Sequence, residues 1–261
     1  MFGYTSSDIR LLGNFLKMMF RDRYLGSMLG SVWGVANPLI MLSIFTFIFV
    51  FVFRSKLPGA DSTLAYTIWL ISGYGPWLAL NDSMMSGTNS VVSSTTILKN
   101  LAFKSEILPL AGTLMGIVPL AVSLSFLSII ILIDDMTIGI AVFYVPIAIL
   151  LQFTFIAGIT LLLSAINVFV RDVSHILPNV LLACLFLSPI FYSIDSLPGI
   201  FKVISQANPF YLITEGYRQP ILFNQLPPLG GQVFLAVVSG GMFFFGLRTF
   251  RRFKPYFDAR L

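Results

Sequence analysis

The chain of 261 residues is 57% hydrophobic and only 10% charged, with 26 phenylalanines, one histidine and one cysteine. Because soluble domains carry about 25% charged residues, this composition excludes a soluble domain and predicts an all-α integral membrane protein. The net charge of +5 is modest, the single Cys184 rules out a disulfide framework, and we expect no cleavable signal peptide.

The first predicted element is an amphipathic helix over residues 9–25. Polar positions spaced three or four residues apart share one face, and apolar positions share another. The two sets are Arg10, Asn14, Lys17 and Arg21, and Ile9, Leu12, Leu16 and Met19. Such a helix lies in the membrane interface with its cations near lipid phosphates. Two interpretations stay open, a membrane-surface anchor and a contact surface for a cytoplasmic partner.

An elbow is predicted between this helix and the first membrane span. Gly26, Gly30 and Gly34 are each four residues apart, which on a helix makes a stripe of small residues that another helix can approach closely. Asn37 and Pro38 then predict a break or kink, with Asn37 capping a helix that restarts at Pro38.

Windows of about 19 residues predict six transmembrane helices, each reaching roughly the 30 Å thickness of the hydrocarbon layer. The spans are residues 35–53, 64–85, 107–133, one within 136–170, 176–194 and 232–247.

Most of the 16 Lys and Arg residues lie in segments on one side of the membrane, which predicts that both termini are cytoplasmic. We therefore divide a single domain, 1–261, into an interfacial helix and elbow (1–34), a six-span region (35–247) and a basic cytoplasmic tail (248–261).

The loop between the fifth and sixth spans, residues 195–228, is predicted to contain short helices. The stretch "NPFYLITEGYRQP" reads as one of them, with Asn208 as N-cap and Pro209 at the first position. Glu215 and Arg218 stand three residues apart and could pair. Because the loop is apolar but too short to span, we expect it to dip into the outer half of the membrane, shielded by protein.

The sequence carries little chemistry of its own. No P-loop, metal-ligand cluster or nucleophile motif occurs in it, so we expect neither catalytic residues nor a metal or cofactor in this chain. His175 is interpreted as structural. Asp82 is the one acid plausibly inside a span, and we interpret it as an interfacial residue because a single carboxylate makes a poor proton relay. We therefore expect the energy that drives transport to come from outside this chain.

Aromatic residues are the positive signal. Phe45, Phe49 and Phe53 share one face of the first span, with Phe47 and Phe51 on the other face. Aromatic faces stack on sugar rings much as they stack on nucleobases, so a passage lined by them suits a sliding saccharide chain. Lipid-facing or core positions for the same rings stay an open alternative. The candidate channel residues are Phe45, Phe49, Phe53, Phe186, Phe191 and Tyr192.

The stretches "RDRYLGSMLGSVWGVANPLIMLSIFTFIFVFVF" and "NVFVRDVSHILPNVLLACLFLSPIFYS", followed by "LPGIFKVISQANPFYLITEGYRQPI", resemble the ABC-type polysaccharide export permeases. These are the Wzm-type O-antigen transporters and the related capsule and teichoic acid permeases. The resemblance covers essentially the whole chain. It implies an inner-membrane pore of two copies, each paired with a separate ATPase subunit that binds ATP and Mg. The implied substrate is a glycan on undecaprenyl diphosphate, not a nucleic acid.

The resemblance also implies roles for individual residues. Spans one and five would line the channel, and Arg21 and Arg23 would meet the lipid diphosphate at the cytoplasmic entrance. Contacts with the ATPase would involve Lys17, Lys99, Lys104, Arg171 and Asp172. Two rival functions stay open, a proton-coupled lipid or drug exporter and a membrane assembly factor that transports nothing.

Overall fold

A computed structural model describes residues 5–54, 63–100, 103–257 and 260. Throughout these residues the regular structure is helical and no strand occurs, which confirms the all-α prediction. Short 3₁₀ turns connect several of the α-helices. The α-helices in the described part of the chain are α1 (Ser6–Arg23), α2 (Trp33–Thr46), α3 (Thr63–Ser93), α4 (Thr95–Asn100), α5 (Ile107–Leu114), α6 (Ile117–Ile133), α7 (Val145–Phe169), α8 (Asp172–Leu187), α9 (Gly199–Gln206), α10 (Pro209–Leu222) and α11 (Leu229–Phe253).

Four helical segments are long and apolar enough to cross a membrane. They are Gly30–Val52, Ile107–Ile133, Ile140–Phe169 and Leu229–Tyr256, and they coincide with the first, third, fourth and sixth predicted spans. Helix α3 coincides with the second span and has 31 residues, but glycines, Pro76 and Asp82 make it less apolar. Helix α8 coincides with the fifth and has 16 residues. The count of six spans therefore stays a prediction.

Helix α3 lies at the centre of the molecule. It packs against α5, α6, α7 and α10, and nearly every side chain from Tyr66 to Leu80 is buried. Residues 66–80 of this helix carry few polar side chains, and a helical segment that is apolar all round is buried in this way. The main core lies around it, between α6, α7, α8 and α10.

A second cluster of buried side chains, which we call the end cluster, joins α1, the end of α3, α5, α7 and α11. Its members include Phe15, Val91, Leu108, Val168 and Phe250. These are the helix ends that the charge distribution predicted to lie on one side of the membrane. Within the predicted basic tail, α11 continues to Phe253 and Phe257 is buried in the end cluster, and the cytoplasmic location of this tail stays a prediction.

Two helix pairs approach closely through glycines. A Cβ atom at Gly246 of α11 would lie 2.1 Å from the Gly158 carbonyl oxygen of α7. A Cβ atom at Gly112 of α5 would lie 2.6 Å from the Gly87 Cα of α3. Any side chain at these positions would collide with the backbone of the neighbouring helix. The glycines therefore set the distance between α7 and α11 and between α3 and α5.

The elbow is present, but the predicted stripe of small residues is wrong. Helix α1 ends at Arg23, and Gly26 and Gly30 then adopt φ values of +79° and +53°, which lie in the left-handed region and outside the range of a right-handed α-helix. A Cβ atom at either position would meet no neighbour within 4 Å, whereas one at Gly34 would lie 3.1 Å from the Phe20 ring. The glycines therefore make the turn, and only Gly34 serves close packing.

The predicted break at Asn37 and Pro38 is also wrong in position. Helix α2 begins at Trp33 and continues through Pro38, so Asn37 does not cap it. The left-handed turn ends α1 before the proline is reached, and Pro38 then removes one hydrogen bond from within α2. Beyond Thr46, Phe47–Val52 form a π-helix in which the Phe53 N–H donates to the Ile48 carbonyl at 2.9 Å.

Two short helices, α9 and α10, lie within residues 195–228, and their place in an outer loop between the fifth and sixth spans stays a prediction. The Asn208 side chain accepts a hydrogen bond from the Phe210 N–H at 2.9 Å, and Pro209 begins α10, which confirms the capping prediction. The Glu215 carboxylate lies 3.9 Å from the Arg218 guanidinium. Most of α10 is buried against neighbouring helices, so the protein shields it as expected, while its depth in the membrane stays a prediction.

Candidate functional site

An ion pair links α1 to α3. Arg23 Nη1 donates to both carboxylate oxygens of Asp82, at 2.8 and 3.0 Å, and Arg23 Nη2 donates to the Ser86 hydroxyl. Both charged side chains are about one-third exposed or less. Asp82 lies within α3, and its carboxylate is paired with a guanidinium from a helix 59 residues away in sequence.

Two clefts share this ion pair as a common wall, because Arg23, Asp82 and Met115 line both. The first, which we call the hydroxyl-lined cleft, has a volume of about 580 Å³. Met18, Met19, Met85, Ile97 and Met115 form its apolar walls, and it also contains six hydroxyl and amide side chains. These are Ser86, Asn89, Ser90, Ser93, Ser94 and Thr96. The second has a volume of about 340 Å³. Its apolar and aromatic walls are Phe20, Tyr24, Pro38, Met41, Leu78 and Val118.

The two arginines predicted at the lipid diphosphate do not share a site. Arg23 lies at the ion pair, whereas Arg21 points to the exposed face of α1, its side chain 77% exposed and 4.0 Å from Asp22. The other predicted polar residues of this face, Arg10, Asn14 and Lys17, are exposed as well. On the opposite face the most buried residue is Phe15, which reaches the end cluster.

The residues predicted to meet the ATPase lie in two settings. Lys17, Lys99, Arg171 and Asp172 are exposed. Lys104 is half-buried, and its ammonium contacts the Asp8 carboxylate at 2.6 Å. The hydrogen bond from Lys104 holds the pKa of Asp8 below its ordinary value, and the Thr5 N–H, which also donates to this carboxylate, acts in the same direction.

A second ion pair, between Glu106 and Arg251, lies next to the Lys104–Asp8 pair in the sequence of this segment. The sequence analysis did not predict it. Arg251 Nη2 and Nε donate to the Glu106 carboxylate at 2.9 and 3.1 Å, and the Glu106 side chain is only 4% exposed. Residues 103–106, which we call the coupling segment, therefore lie between α1 and α11, with an ion pair to each. The two partners lie 145 residues apart in the sequence, so no spacing between neighbouring residues indicates that they pair.

Three of the six predicted channel aromatics meet in one cluster. The Phe191 ring stacks on Phe45 and Phe49, with centroid distances of 5.0 and 4.7 Å. Tyr74 of α3, which the sequence analysis missed, contacts Phe45 at 4.4 Å and Phe191 at 5.4 Å. We call Phe45, Phe49, Tyr74 and Phe191 the aromatic cluster.

The remaining predicted channel residues lie at its edge. Phe53 and Phe186 are more than half exposed, and they contact Phe49 and Phe191 respectively. The Tyr192 hydroxyl turns back and donates to the Phe186 and Leu187 carbonyls at the end of α8. Phe47 and Phe51 lie exposed on the other face of the span, as expected.

A buried cation holds the segment that carries Phe191. Arg218 of α10 has a side chain 2% exposed, and its guanidinium donates to the carbonyls of Pro189, at 2.9 Å, and Ile190. The same group lies 3.7 Å from the centre of the Trp69 ring, a cation–π contact. The chain between α8 and α9 is thus fixed to α10 and α3 directly before Phe191.

A model of the ABC-2 type transporter family matches residues 11–222. The chain belongs to this family. Two relatives named O-antigen export system permease protein RfbA share its sequence over much of their length. The relative from Klebsiella pneumoniae is 29% identical over 197 residues, 75% of this chain and 74% of that protein. The relative from Myxococcus xanthus is 24% identical over 231 residues, 88% of this chain and 86% of that protein.

For this ABC-2 transporter chain, family membership implies a transport role in partnership with an ATPase subunit. The apolar helices agree with a multi-pass membrane protein. The matched region includes the Arg23–Asp82 ion pair, the aromatic cluster and Arg218. Among the residues that the structure describes, no group of His, Cys, Asp or Glu side chains could hold a metal ion.

Proposed function

We propose that this chain is the membrane permease subunit of an ATP-driven exporter. Its cargo is an undecaprenyl-diphosphate-linked polysaccharide, in the first place the O-antigen of lipopolysaccharide, carried across the bacterial inner membrane. The observation that carries this proposal is the combined match, an ABC-2 family model over residues 11–222 and relatives named as O-antigen export permeases. The aromatic cluster and the hydroxyl-lined cleft supply surfaces that suit a saccharide.

The exporter contains two copies of this chain and two ATPase subunits, with both termini of the permease in the cytoplasm. The exposed charges Lys17, Lys99, Arg171 and Asp172 form the contact with the ATPase, together with Lys104 of the coupling segment. ATP and Mg bind in the ATPase subunit. The ion pairs from the coupling segment to α1 and α11 support a unit that moves as one body when the ATPase pushes on it.

Closure of the ATPase subunits moves α1 and the coupling segment, and the Arg23–Asp82 pair passes this movement to α3. Helices α2 and α8 then shift, and the aromatic cluster between them opens a passage between the two copies. For such a cycle ATP binding must favour one of two arrangements by a differential free energy. The π-helix at Phe47–Val52 lies at the cluster, in agreement with the frequent use of such turns at functional sites.

Deletion of the gene tests the function directly. Cells without this chain should lose O-antigen from their surface and accumulate the undecaprenyl-linked polymer inside, and a plasmid copy should restore export. Unchanged surface O-antigen would contradict the proposal. Loss of capsule or teichoic acid in place of O-antigen would keep the exporter but change its cargo.

A further inference from the structure

One face of α11 is exposed along most of the helix. Helix α11 packs on α7 and α10 through a buried face that includes Leu235, Gly246 and Phe250. At about 100° per residue, a second set of residues falls on the opposite face, and all of them are exposed. They are Val233, Val237, Gly241, Phe244, Arg248 and Arg252. We call this surface the exposed face of α11.

Two cations lie near the end of this exposed face. Arg248 and Arg252 are four residues apart, so their side chains are neighbours on the helix surface. Among the residues that the structure describes, neither side chain has an ion-pair or hydrogen-bond partner, whereas Arg251 between them is paired with Glu106. Guanidinium groups bind phosphate oxygens through parallel hydrogen bonds, and two neighbouring ones can hold a single phosphate.

The side chains on either side of these arginines indicate the level of the membrane surface. Phe244 and Phe245, which precede them, are more than half exposed and suit contact with hydrocarbon chains. Tyr256, one turn beyond Arg252, is also more than half exposed, and tyrosine is typical of the boundary between membrane and water. The arginines therefore lie where the phosphate groups of lipids are found.

Two adjacent glycines form a notch in the apolar part of the exposed face. A Cβ atom at Gly240 or Gly241 would meet nothing within 4 Å, so the packing of the described helices does not require glycine there. Glycine is unfavourable in the interior of a helix, and two in succession indicate a close neighbour from outside the chain. At 1.5 Å per residue, Gly241 lies about 10 Å along the axis from Arg248, which is within the roughly 15 Å thickness of one hydrocarbon leaflet.

We propose that the exposed face of α11 binds an anionic phospholipid of the phosphatidylglycerol type. Its phosphate lies between Arg248 and Arg252, and one acyl chain follows Phe244 to the notch at Gly241. Charge complementarity selects this lipid, because two guanidinium groups without a counter-ion attract a headgroup that carries a phosphate and no amine. The ammonium group of a zwitterionic headgroup would meet like charges. This lipid is a partner of the helix and not the cargo, so the proposal is independent of what the protein exports.

A lipid bound at this place acts on the end of α11. The same helical turns carry Phe250, which lies in the end cluster, and Arg251, which holds Glu106 of the coupling segment. A ligand that binds only the folded protein stabilises it by mass action. Phosphatidylglycerol should therefore raise the temperature at which the protein unfolds.

Fluorescence quenching by brominated lipids measures binding at the site itself. The full-length chain, with Cys184→Ser and a fluorophore on Phe245→Cys, is placed in phosphatidylcholine nanodiscs that contain a rising fraction of phosphatidylglycerol brominated on its acyl chains. We expect phosphatidylglycerol to be preferred over brominated phosphatidylcholine by about tenfold or more, since each arginine at the membrane surface contributes about fivefold. The double variant Arg248→Gln, Arg252→Gln should remove this preference.

The matched control is the double variant Arg10→Gln, Arg21→Gln, which removes two exposed cations from α1. It should leave the preference at Phe245→Cys unchanged. The site is overturned if the α11 double variant keeps the preference, or if the control variant loses it to the same extent.

Thermal unfolding of the detergent-solubilised chain tests the notch. Phosphatidylglycerol should raise the unfolding temperature of the wild type but not that of the α11 double variant. Gly241→Leu fills the notch and should reduce this rise, while without lipid it should unfold at or above the wild-type temperature because leucine favours the helix. An unreduced rise in Gly241→Leu would contradict the path of the acyl chain.

Two further measurements test other occupants of the exposed face. If Gly241→Leu separates a dimer of the chain into monomers, the notch is a contact between two copies. If the α11 double variant loses binding of the purified ATPase subunit while it keeps the lipid preference, the arginines belong to that contact. Either result would overturn the lipid site, and since neither measures export, the gene-deletion test of the exporter is unaffected.

Discussion

Arg218 places a guanidinium where its side chain is only 2% exposed, inside a protein that we expect to lie in a membrane. A charge in such a position is costly unless it is paired and hydrogen-bonded. The carbonyls of Pro189 and Ile190, the Trp69 ring and the Glu215 carboxylate supply these partners. The gain is a fixed position for Phe191 in the aromatic cluster.

Arg218→Met should therefore destabilise the protein by about 3–5 kcal/mol, the range for breaking a buried charged network by removing one partner. The two carbonyls would lose the guanidinium that donates to them, and the Glu215 carboxylate would keep the hydrogen bond from the Gln219 side chain but lose its cation. The midpoint of thermal unfolding in detergent measures the loss.

The matched control is Lys202→Met, which breaks the exposed pair with Asp195 at 2.6 Å and should cost no more than about 1 kcal/mol. Equal losses in the two variants would show that the burial of Arg218 contributes nothing.

At the residue scale, what could be predicted from the sequence was local. The cap at Asn208 and the pair Glu215–Arg218 follow from spacings of a few residues, and both are present. The partners of Asp82 and Glu106 lie 59 and 145 residues away, where spacing carries no information. Burial of Arg218 was missed for a related reason, since backbone carbonyl acceptors have no sequence signature.

At the scale of elements, the elbow depends on a left-handed turn. Gly30→Ala should destabilise the protein by about 1–2 kcal/mol, because a Cβ atom disfavours the left-handed conformation that Gly30 adopts at φ +53°. Thermal unfolding of the purified protein measures the change.

The same substitution in a helix should have the opposite sign. Gly13 lies within α1 with open space around it, and Gly13→Ala should stabilise by up to about 1 kcal/mol through helix propensity. Stabilisation by Gly30→Ala would contradict the turn at this position.

The contact between α7 and α11 supports a second prediction for the elements. Gly246→Ala should destabilise by about 1–3 kcal/mol, the cost of overpacking a tight contact. The new methyl group would meet the Gly158 backbone, which cannot move like a flexible side chain. The resistance of the folded protein to urea measures the change.

Gly240→Ala in the same helix is the control, since its Cβ would meet nothing within 4 Å. We expect this variant to match or exceed the wild-type stability. If the two alanine variants lose equal stability, close packing of α7 on α11 does not depend on Gly246.

Hydropathy and length were sufficient to predict the four segments that are long and apolar enough to cross a membrane, but not their internal irregularities. Residues 107–133 match the third predicted span, yet the segment is divided into α5 and α6 at Gly116, where a Cβ would lie 2.3 Å from the Ala79 carbonyl oxygen. The π-helix at Phe47–Val52 is equally absent from the pattern, because its extra residue per turn leaves composition unchanged. Both features depend on how neighbouring helices pack.

At the scale of the whole molecule, the end cluster brings together α1, the start of α5, the end of α7 and the end of α11. The predicted topology assigns all of these to the cytoplasmic side. Cysteine labelling in spheroplasts tests this assignment in a Cys184→Ser background. Ser7→Cys and Tyr256→Cys should react with an impermeant maleimide only after the membrane is opened.

Ser196→Cys, in the loop predicted on the outer side, should react in intact spheroplasts and serves as the control. Labelling of either end of the chain from outside would contradict the topology and with it the assignment of the ATPase contact.

The central claim is that this chain supplies the passage and a separate ATPase supplies the energy. Vesicles that hold the purified permease, alone or with its ATPase subunit, can be given ATP and a fluorescent undecaprenyl-diphosphate-linked glycan, and transfer of the glycan across the membrane measured. We expect transfer only when permease, ATPase and ATP are all present. Uphill transfer by the permease alone, with or without a proton gradient, would contradict the account.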